Sequence, residues 1–221
     1  MKETNRHEIQ FEIVKPTEIE ARSFAIIKEE LKDVITDQKK APIIMRAIHT
    51  TADFDYLENL CFSEGVVERL HKSILNGACI VTDTQMAKAG INKTELAKYG
   101  GEVFCFMSDE DVALLAKEKG CTRATVSMDK AATLNRPMIF AIGNAPTALV
   151  RLYELMEDGV LSPEGIIGVP VGFVNVVEAK ELIMKADVPY IVARGRKGGS
   201  NVAAAICNAL LYQLREQDES C

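Results

Sequence analysis

The sequence predicts an α/β protein in which a mainly parallel, doubly wound sheet of about five strands is covered by helices on both faces. Two observations lead to this fold class. Short apolar runs alternate along the chain with longer segments of helical periodicity, which is the order of βαβ units. The runs are apolar almost throughout, as is typical of strands that a parallel sheet buries on both faces. The length of 221 residues suits one domain that spans residues 1–221.

Each predicted element depends on its own pattern. The strand-like runs occupy residues 78–81, 103–107, 138–142, 165–171 and 189–193, and helical spacing marks residues 18–32, 58–75, 109–119, 145–156, 175–186 and 201–214. Pro16 and Thr17 suit the start of the first helix, and Pro146 suits the first turn of the helix after the third strand. We expect the helices before residue 78 to pack on the sheet or on a partner subunit.

The composition describes an acidic protein in a reducing compartment. The net charge is −6, so a nucleic acid is not an expected partner. Six cysteines occur without CxxC spacing, and no secretory pattern opens the chain, which predicts a cytoplasmic protein. The longest apolar stretch, residues 165–177, is interrupted by Gly168, Pro170 and Gly172 and is too short to cross a membrane.

Ligands of doubly wound sheets bind at the carboxyl ends of the strands, and one strand-end segment is strongly cationic. Residues 194–200 read Arg-Gly-Arg-Lys-Gly-Gly-Ser and precede a predicted helix. Arg194, Arg196 and Lys197 bring positive charge, while Gly198 and Gly199 allow backbone amides to approach a ligand at a helix N-terminus. The segment therefore predicts a site for an acidic small molecule. The alternative is a solvated basic loop at the end of an edge strand.

His49 is the strongest candidate for acid–base chemistry. Histidine is the side chain whose ordinary pKa lies nearest neutrality, so it can both give and take a proton. Arg46 would favour an acidic group nearby, and Asp53 or Asp55 could orient the imidazole. The alternative is a polar loop histidine without a role. Arg123 offers a further cation, with a plain surface arginine as the equal alternative.

Several familiar sites are missing from the sequence. The three histidines are far apart and no cysteines are paired, so no metal site is predicted. Neither a GxxxxGK[ST] loop nor a GxGxxG after the first strand of the sheet is present, which disfavours a nucleotide-binding protein.

Taken together, the strand-end segments and the block around His49 resemble the precorrin-8X methylmutase family of corrin-ring biosynthesis. The most specific blocks are Gly-Asn-Ala-Pro-Thr-Ala-Leu at residues 143–149 and Gly-Val-Pro-Val-Gly-Phe-Val-Asn at residues 168–175. Other matching segments are residues 23–24, 46–51, 82–86, 122–123 and 194–200. The resemblance covers nearly the whole chain, and no family motif position departs from the pattern.

This resemblance implies a flavodoxin-like fold and a homodimer that uses no cofactor of its own. It also implies an isomerase that moves a methyl group from C-11 to C-12 of an anionic tetrapyrrole. Any cobalt would belong to the substrate, and the sequence leaves open whether the substrate contains it. His49 matches the family's catalytic histidine, and the expected substrate-binding residues are Ser23, Arg46, Thr84, Arg123, Arg194, Arg196, Lys197, Gly198, Gly199 and Ser200.

One other class of function stays open at this point. Because a fold alone does not fix an activity, the same architecture could serve a non-catalytic carrier of a tetrapyrrole or another anionic small molecule.

Overall fold

The computed structural model describes residues 12–32 and 34–218. Within them, six strands form one sheet in the order β1-β6-β5-β4-β2-β3. The strands are β1 Leu60–Phe62, β2 Cys79–Thr82, β3 Val103–Phe104, β4 Met138–Ile142, β5 Gly165–Gly168 and β6 Tyr190–Ala193. The strands β2 to β6 are parallel, and β1 runs antiparallel to β6. The order of the parallel strands is that of flavodoxin-like proteins, with the switch point between β2 and β4.

Alternating side chains of each strand reach opposite faces of the sheet, and helices cover both faces. One face carries α1 Ile19–Leu31, α2 Ala41–Thr51, α4 Val66–Leu75, α5 Gln85–Gly90, α6 Lys93–Lys98 and α11 Ser200–Asp218. The other carries α8 Arg123–Ala132, α9 Pro146–Glu157 and α10 Val176–Lys185, with α7 Glu110–Lys119 packed on α8. The short helix α3, Tyr56–Asn59, leads into β1. The predicted three-layer fold class is confirmed.

The sheet has one strand more than predicted, because residues 58–75 do not form one helix. Leu60–Phe62 pair with β6 as an edge strand, and Gly65, at φ +65°, starts α4. The left-handed backbone of Gly65 interrupts the helical pattern that the apolar spacing suggests. The pairing of β1 with a strand so distant in the chain has no local signature in the sequence.

The second difference concerns residues 41–55, for which the sequence predicts no helix. The structure forms α2 there, with Pro42 in its first turn and Ile43, Ile44, Ala47 and Ile48 buried. His49 therefore lies on a helix and not in a polar loop. In the described part of the chain, no helix has the length and apolar character needed to cross a membrane.

Candidate active site

Asp83 organises the switch point of the sheet. It follows β2 directly and is fully buried. Its carboxylate accepts hydrogen bonds from the backbone N–H groups of Gly143, Asn144 and Ala145, at 2.8, 2.8 and 2.6 Å. Burial raises the pKa of Asp83, and these three hydrogen bonds oppose that rise. The loop after β4 is thus held by the strand next to it. Residues 82–86 are among the segments that resemble the family, but the sequence assigns Asp83 no role.

Thr84 and Ser200 meet at the same point. Their hydroxyl oxygens lie 2.8 Å apart, and Thr84 also caps α5 by accepting a hydrogen bond from the N–H of Ala87. Gly143 makes this approach possible, because a Cβ atom there would lie 2.7 Å from Cα of Ser200. The N-terminus of the long helix α11 therefore lies directly against the end of β4.

The arginines of the loop 194–200 point in different directions. The Nε atom of Arg194 lies 2.9 Å from Oε1 of Glu181 on α10, so this side chain turns toward the helix layer opposite α2. Arg196 is exposed, and its guanidinium lies over the ring of Phe173 at 5.5 Å. Within the described residues Arg196 has no carboxylate partner, so its charge is available to a ligand.

Lys197 joins the loop to the end of α2. Its ammonium forms ion pairs with Asp53, at 2.6 Å, and with Asp55. These two carboxylates raise the pKa of Lys197 to about 12. Although one of them is expected from the sequence to orient His49, both bind Lys197 in the structure. The ion pairs instead connect the helix that carries His49 with the strand-end loop.

The two adjacent glycines of the loop serve its packing. A Cβ atom on Gly198 would lie 2.1 Å from the carbonyl oxygen of Val169, and the N–H of Gly199 donates to that oxygen at 2.9 Å. The expectation that these glycines free backbone amides for a ligand is therefore wrong for the amide of Gly199. The glycines allow the loop to lie against the backbone that follows β5.

His49 lies in the last turn of α2 and is exposed to solvent. Its ring stacks on Phe24 of α1, with centroids 5.0 Å apart and an interplanar angle of 28°. Phe24 thus supports one face of the imidazole, while the residue as a whole is exposed to solvent. Ser23, beside Phe24, donates its hydroxyl hydrogen to the carbonyl of Ile19 at 2.9 Å.

Arg46 lies one turn before His49 on α2. Its guanidinium stacks on Phe24 at 5.1 Å and on Tyr212 of α11 at 4.8 Å. It also forms an ion pair of 2.9 Å with Glu20, whose side chain is 58% exposed. An exposed ion pair of this kind contributes little stability, so a ligand carboxylate could displace Glu20.

Arg123 begins α8, on the other face of the sheet. The hydroxyl oxygens of Thr122 and Thr147 lie 2.9 Å apart. Arg123 therefore lies near the N-terminus of α9, at the carboxyl ends of the strands. Arg123 is exposed, and among the described residues it has no carboxylate partner.

The arrangement suits a ligand with several carboxylates. Among the described residues, Arg123 and Arg196 have no carboxylate partner at the strand ends, and Arg46 beside His49 pairs with an exposed glutamate. Among the described side chains, no three of His, Cys, Asp or Glu are grouped so that they could hold a metal ion. The polar groups at hand include the imidazole of His49 and the guanidinium groups of the arginines.

Comparisons with known proteins agree on one family. The family model described as precorrin-8X methylmutase matches residues 18–213. The chain is 47% identical to the cobalt-precorrin-8 methylmutase of Salmonella typhimurium over 210 residues, 92% of this chain and 98% of the relative. It is 37% identical to the precorrin-8X methylmutase of Pseudomonas aeruginosa over 193 residues, 86% of this chain and 91% of the relative.

A solved structure extends the agreement from sequence to fold. The crystal structure of precorrin-8X methyl mutase from Thermus thermophilus superposes with a TM-score of 0.81 at 37% identity, and the match covers 90% of this chain and 98% of that one. Fold and sequence thus lead to the same conclusion. The chain belongs to the precorrin-8X methylmutase family.

Proposed function

We propose that the protein is an isomerase of corrin biosynthesis, which moves a methyl group from C-11 to C-12 of precorrin-8X or its cobalt form. The observation that carries this proposal is the exposed imidazole of His49 beside Arg46, in a chain that matches the family model over residues 18–213. The product is hydrogenobyrinate, or cobyrinate when the ring contains cobalt. The non-catalytic carrier is disfavoured, because the relatives reported above are named as methylmutases.

The reaction needs little covalent chemistry from the protein. In a 1,5-sigmatropic shift the bond from C-11 to the methyl group breaks as the bond to C-12 forms, and no electrons leave or enter the ring. His49, as imidazolium, hydrogen-bonds or protonates the conjugated macrocycle near the migrating methyl and takes the proton back afterwards. The hydrogen bond or transferred proton stabilises the charge that develops in the conjugated ring in the transition state. The protein meanwhile holds the ring in position.

The arginines account for binding. The substrate carries acetate and propionate groups around a flat ring, and guanidinium groups bind carboxylates through paired hydrogen bonds. Arg123 and Arg196 meet such carboxylates directly, and Arg46 exchanges Glu20 for one of them. Thr84 and Ser200 add two hydroxyl groups at the switch point. The protein supplies no cofactor, any cobalt comes with the substrate, and the reaction takes place in the cytoplasm.

We further propose that two copies of the chain form a homodimer. Phe173 and Val174, in the loop after β5, are 83% and 78% exposed beside Arg196. Such apolar exposure at the rim of a polar site is typical of an interface. Sedimentation analysis is expected to give about twice the chain mass of 24.3 kDa. A mass of one chain at micromolar concentration would contradict this proposal.

The function is tested with both forms of the substrate. Purified protein is incubated with cobalt-precorrin-8 and, separately, with precorrin-8X, and the visible absorbance is followed until the corrin spectrum appears. The cobalt-precorrin-8 methylmutase of Salmonella typhimurium is 47% identical to this chain and the precorrin-8X methylmutase of Pseudomonas aeruginosa 37% identical, so we expect faster conversion of the cobalt form. Binding without any spectral conversion would instead support a carrier.

Replacing Arg196 by alanine is expected to weaken substrate binding about tenfold, which corresponds to the loss of about 1.4 kcal/mol from one carboxylate contact. The turnover of bound substrate should change less, and the loss of affinity should shrink in high salt because the contact is electrostatic. Arg194→Ala removes the same charge from the same loop, but Arg194 pairs with Glu181, so its effect should be smaller. Equal losses for the two variants would show that only overall charge matters.

A further inference from the structure

Lys180 is a buried lysine that the reaction described above does not use. It lies in the second turn of α10 and is fully buried, with Ala179 and Ile183 of the same helix in the apolar core. Side chains of a helix lean toward its N-terminus, and α10 begins near the carboxyl ends of the parallel strands. The ammonium group of Lys180 therefore reaches the underside of the loop that follows β6.

Two backbone carbonyl groups of that loop hold the ammonium. The Nζ atom of Lys180 donates to the carbonyl oxygens of Gly195 and Lys197, at 2.8 Å each. Burial lowers the pKa of Lys180 to about 8, so the group is still mainly protonated at neutral pH. Within the described residues it has no carboxylate partner. Its charge is therefore balanced by carbonyl dipoles of this loop.

These contacts determine where the side chains of the loop point. The carbonyl of Arg196, between the two bound by Lys180, accepts a hydrogen bond from the N–H of Gly172 at 3.2 Å. Three consecutive carbonyl groups are thus engaged by the protein. The side chains at 196 and 197 project outward, Arg196 over Phe173 and Lys197 to the carboxylates after α2.

The loop needs such an anchor because its sequence is flexible. Gly195, Gly198 and Gly199 give residues 194–200 a large backbone entropy in the absence of fixed contacts. Burying an ammonium group without a carboxylate partner is costly, and an apolar side chain would fill the same space at lower cost. A purely structural role therefore explains the choice of lysine poorly.

We propose that Lys180 is a positioning residue, which fixes the backbone of the loop 194–200 so that Arg196 meets a carboxylate of the bound tetrapyrrole. The part that concerns the substrate rests on the function proposed above. The part that concerns the loop does not, and it can be measured without a substrate.

The first measurement is hydrogen–deuterium exchange of the free protein. Lys180→Met keeps the length of the side chain and removes its hydrogen bonds. We expect faster exchange of the amides of Gly172 and Gly199, whose acceptors are the loop carbonyl of Arg196 and the carbonyl of Val169. Exchange within β4 should stay unchanged. Lys185→Met, at the exposed end of the same helix, is the matched control and should change neither region.

The second measurement is steady-state kinetics with the tetrapyrrole that the wild type converts. Lys180→Met should raise KM about tenfold and change kcat by less than about threefold, since the lost contact is one of binding. In an Arg196→Ala background the same substitution should change KM by less than about threefold, because the contact that Lys180 positions is already gone. Lys180→Gln can still donate to one carbonyl group, so its KM should lie between those of wild type and Lys180→Met. This variant replaces Lys180→Met in the experiment if Lys180→Met does not fold.

Several results would overturn the proposal. Unchanged exchange of Gly172 and Gly199 would show that Lys180 does not hold the loop. Faster exchange with unchanged KM, or effects of Lys180→Met and Arg196→Ala that simply multiply, would show that the loop position does not matter to Arg196. A wild type that converts neither tetrapyrrole would overturn the proposed function and the substrate part of this inference, while exchange would still decide whether Lys180 anchors the loop.

Discussion

Replacing His49 by alanine is expected to lower kcat by at least about 100-fold, the range over which a positioned acid–base group contributes to catalysis. The reason is that the structure places the imidazole in the last turn of α2, stacked on Phe24 and exposed to solvent. Substrate binding should change by less than about threefold, because the carboxylate contacts to the arginines stay in place. Stopped-flow absorbance separates the two effects, since binding precedes the spectral change to a corrin.

His71 provides the control for this prediction. It is a histidine of the same sheet face, but it lies in a groove of about 880 Å³ beside Lys72 and Gln213, away from the strand ends. His71→Ala should therefore leave kcat within about twofold of wild type, whereas His49→Ala removes an acid–base group and should lower it far more. If His49→Ala turned over substrate at the wild-type rate, the catalytic assignment of His49 would be wrong.

Replacing Asp83 by asparagine is expected to reduce the free energy of unfolding by about 2–3 kcal/mol, the usual worth of hydrogen bonds to a charged group. One carboxylate oxygen accepts from Gly143 and the other from both Asn144 and Ala145. In either orientation the amide nitrogen of asparagine would face at least one backbone N–H, so two donors would oppose each other in a buried site. The midpoint of thermal unfolding should fall by about 4–12 °C, measured by circular dichroism.

Asp187→Asn is a matched control for this variant, because Asp187 is an exposed residue in the turn before β6. Its unfolding free energy should stay within about 0.5 kcal/mol of wild type. An Asp83→Asn protein as stable as wild type would show that the three hydrogen bonds do not need a negatively charged acceptor. The role of Asp83 would then not be that of an anionic acceptor.

The elements that the sequence predicts best are those with a complete local signature. Residues 138–142 form β4 as predicted, because Pro137 and Gly143 bound an uninterrupted apolar run. The edge strand β1 has only three residues, and its pairing depends on β6, far away in the chain. Helix α2 is harder to predict because His49, Thr50 and Thr51 make its last turn polar. Its apolar face becomes evident only when α11 packs against it.

The same distinction between local and distant information applies to the site. The sequence proposes His49, Arg46 and the loop 194–200 as site residues, since residue types and strand ends can be recognised locally. It cannot assign partners across the fold, so it treats Lys197 as a free cation although Asp53 and Asp55 bind it. Lys180 looks like an ordinary surface lysine of a helix. Only the folded position of the loop reveals that this lysine is buried.

The ion pair between Lys197 and Asp55 joins residues 142 positions apart. A ribosome makes the chain from its N-terminus, so α2 and β1 emerge long before α11 and β6, the elements on which they pack. Contacts between residues so distant in the chain form slowly. Until they form, the exposed apolar surfaces of the early elements promote aggregation. Helix α2, which carries His49 and Arg46, is thus synthesised early but reaches its final packing late. Nascent chains that end before residue 190 should accordingly depend on chaperones more than the finished protein does.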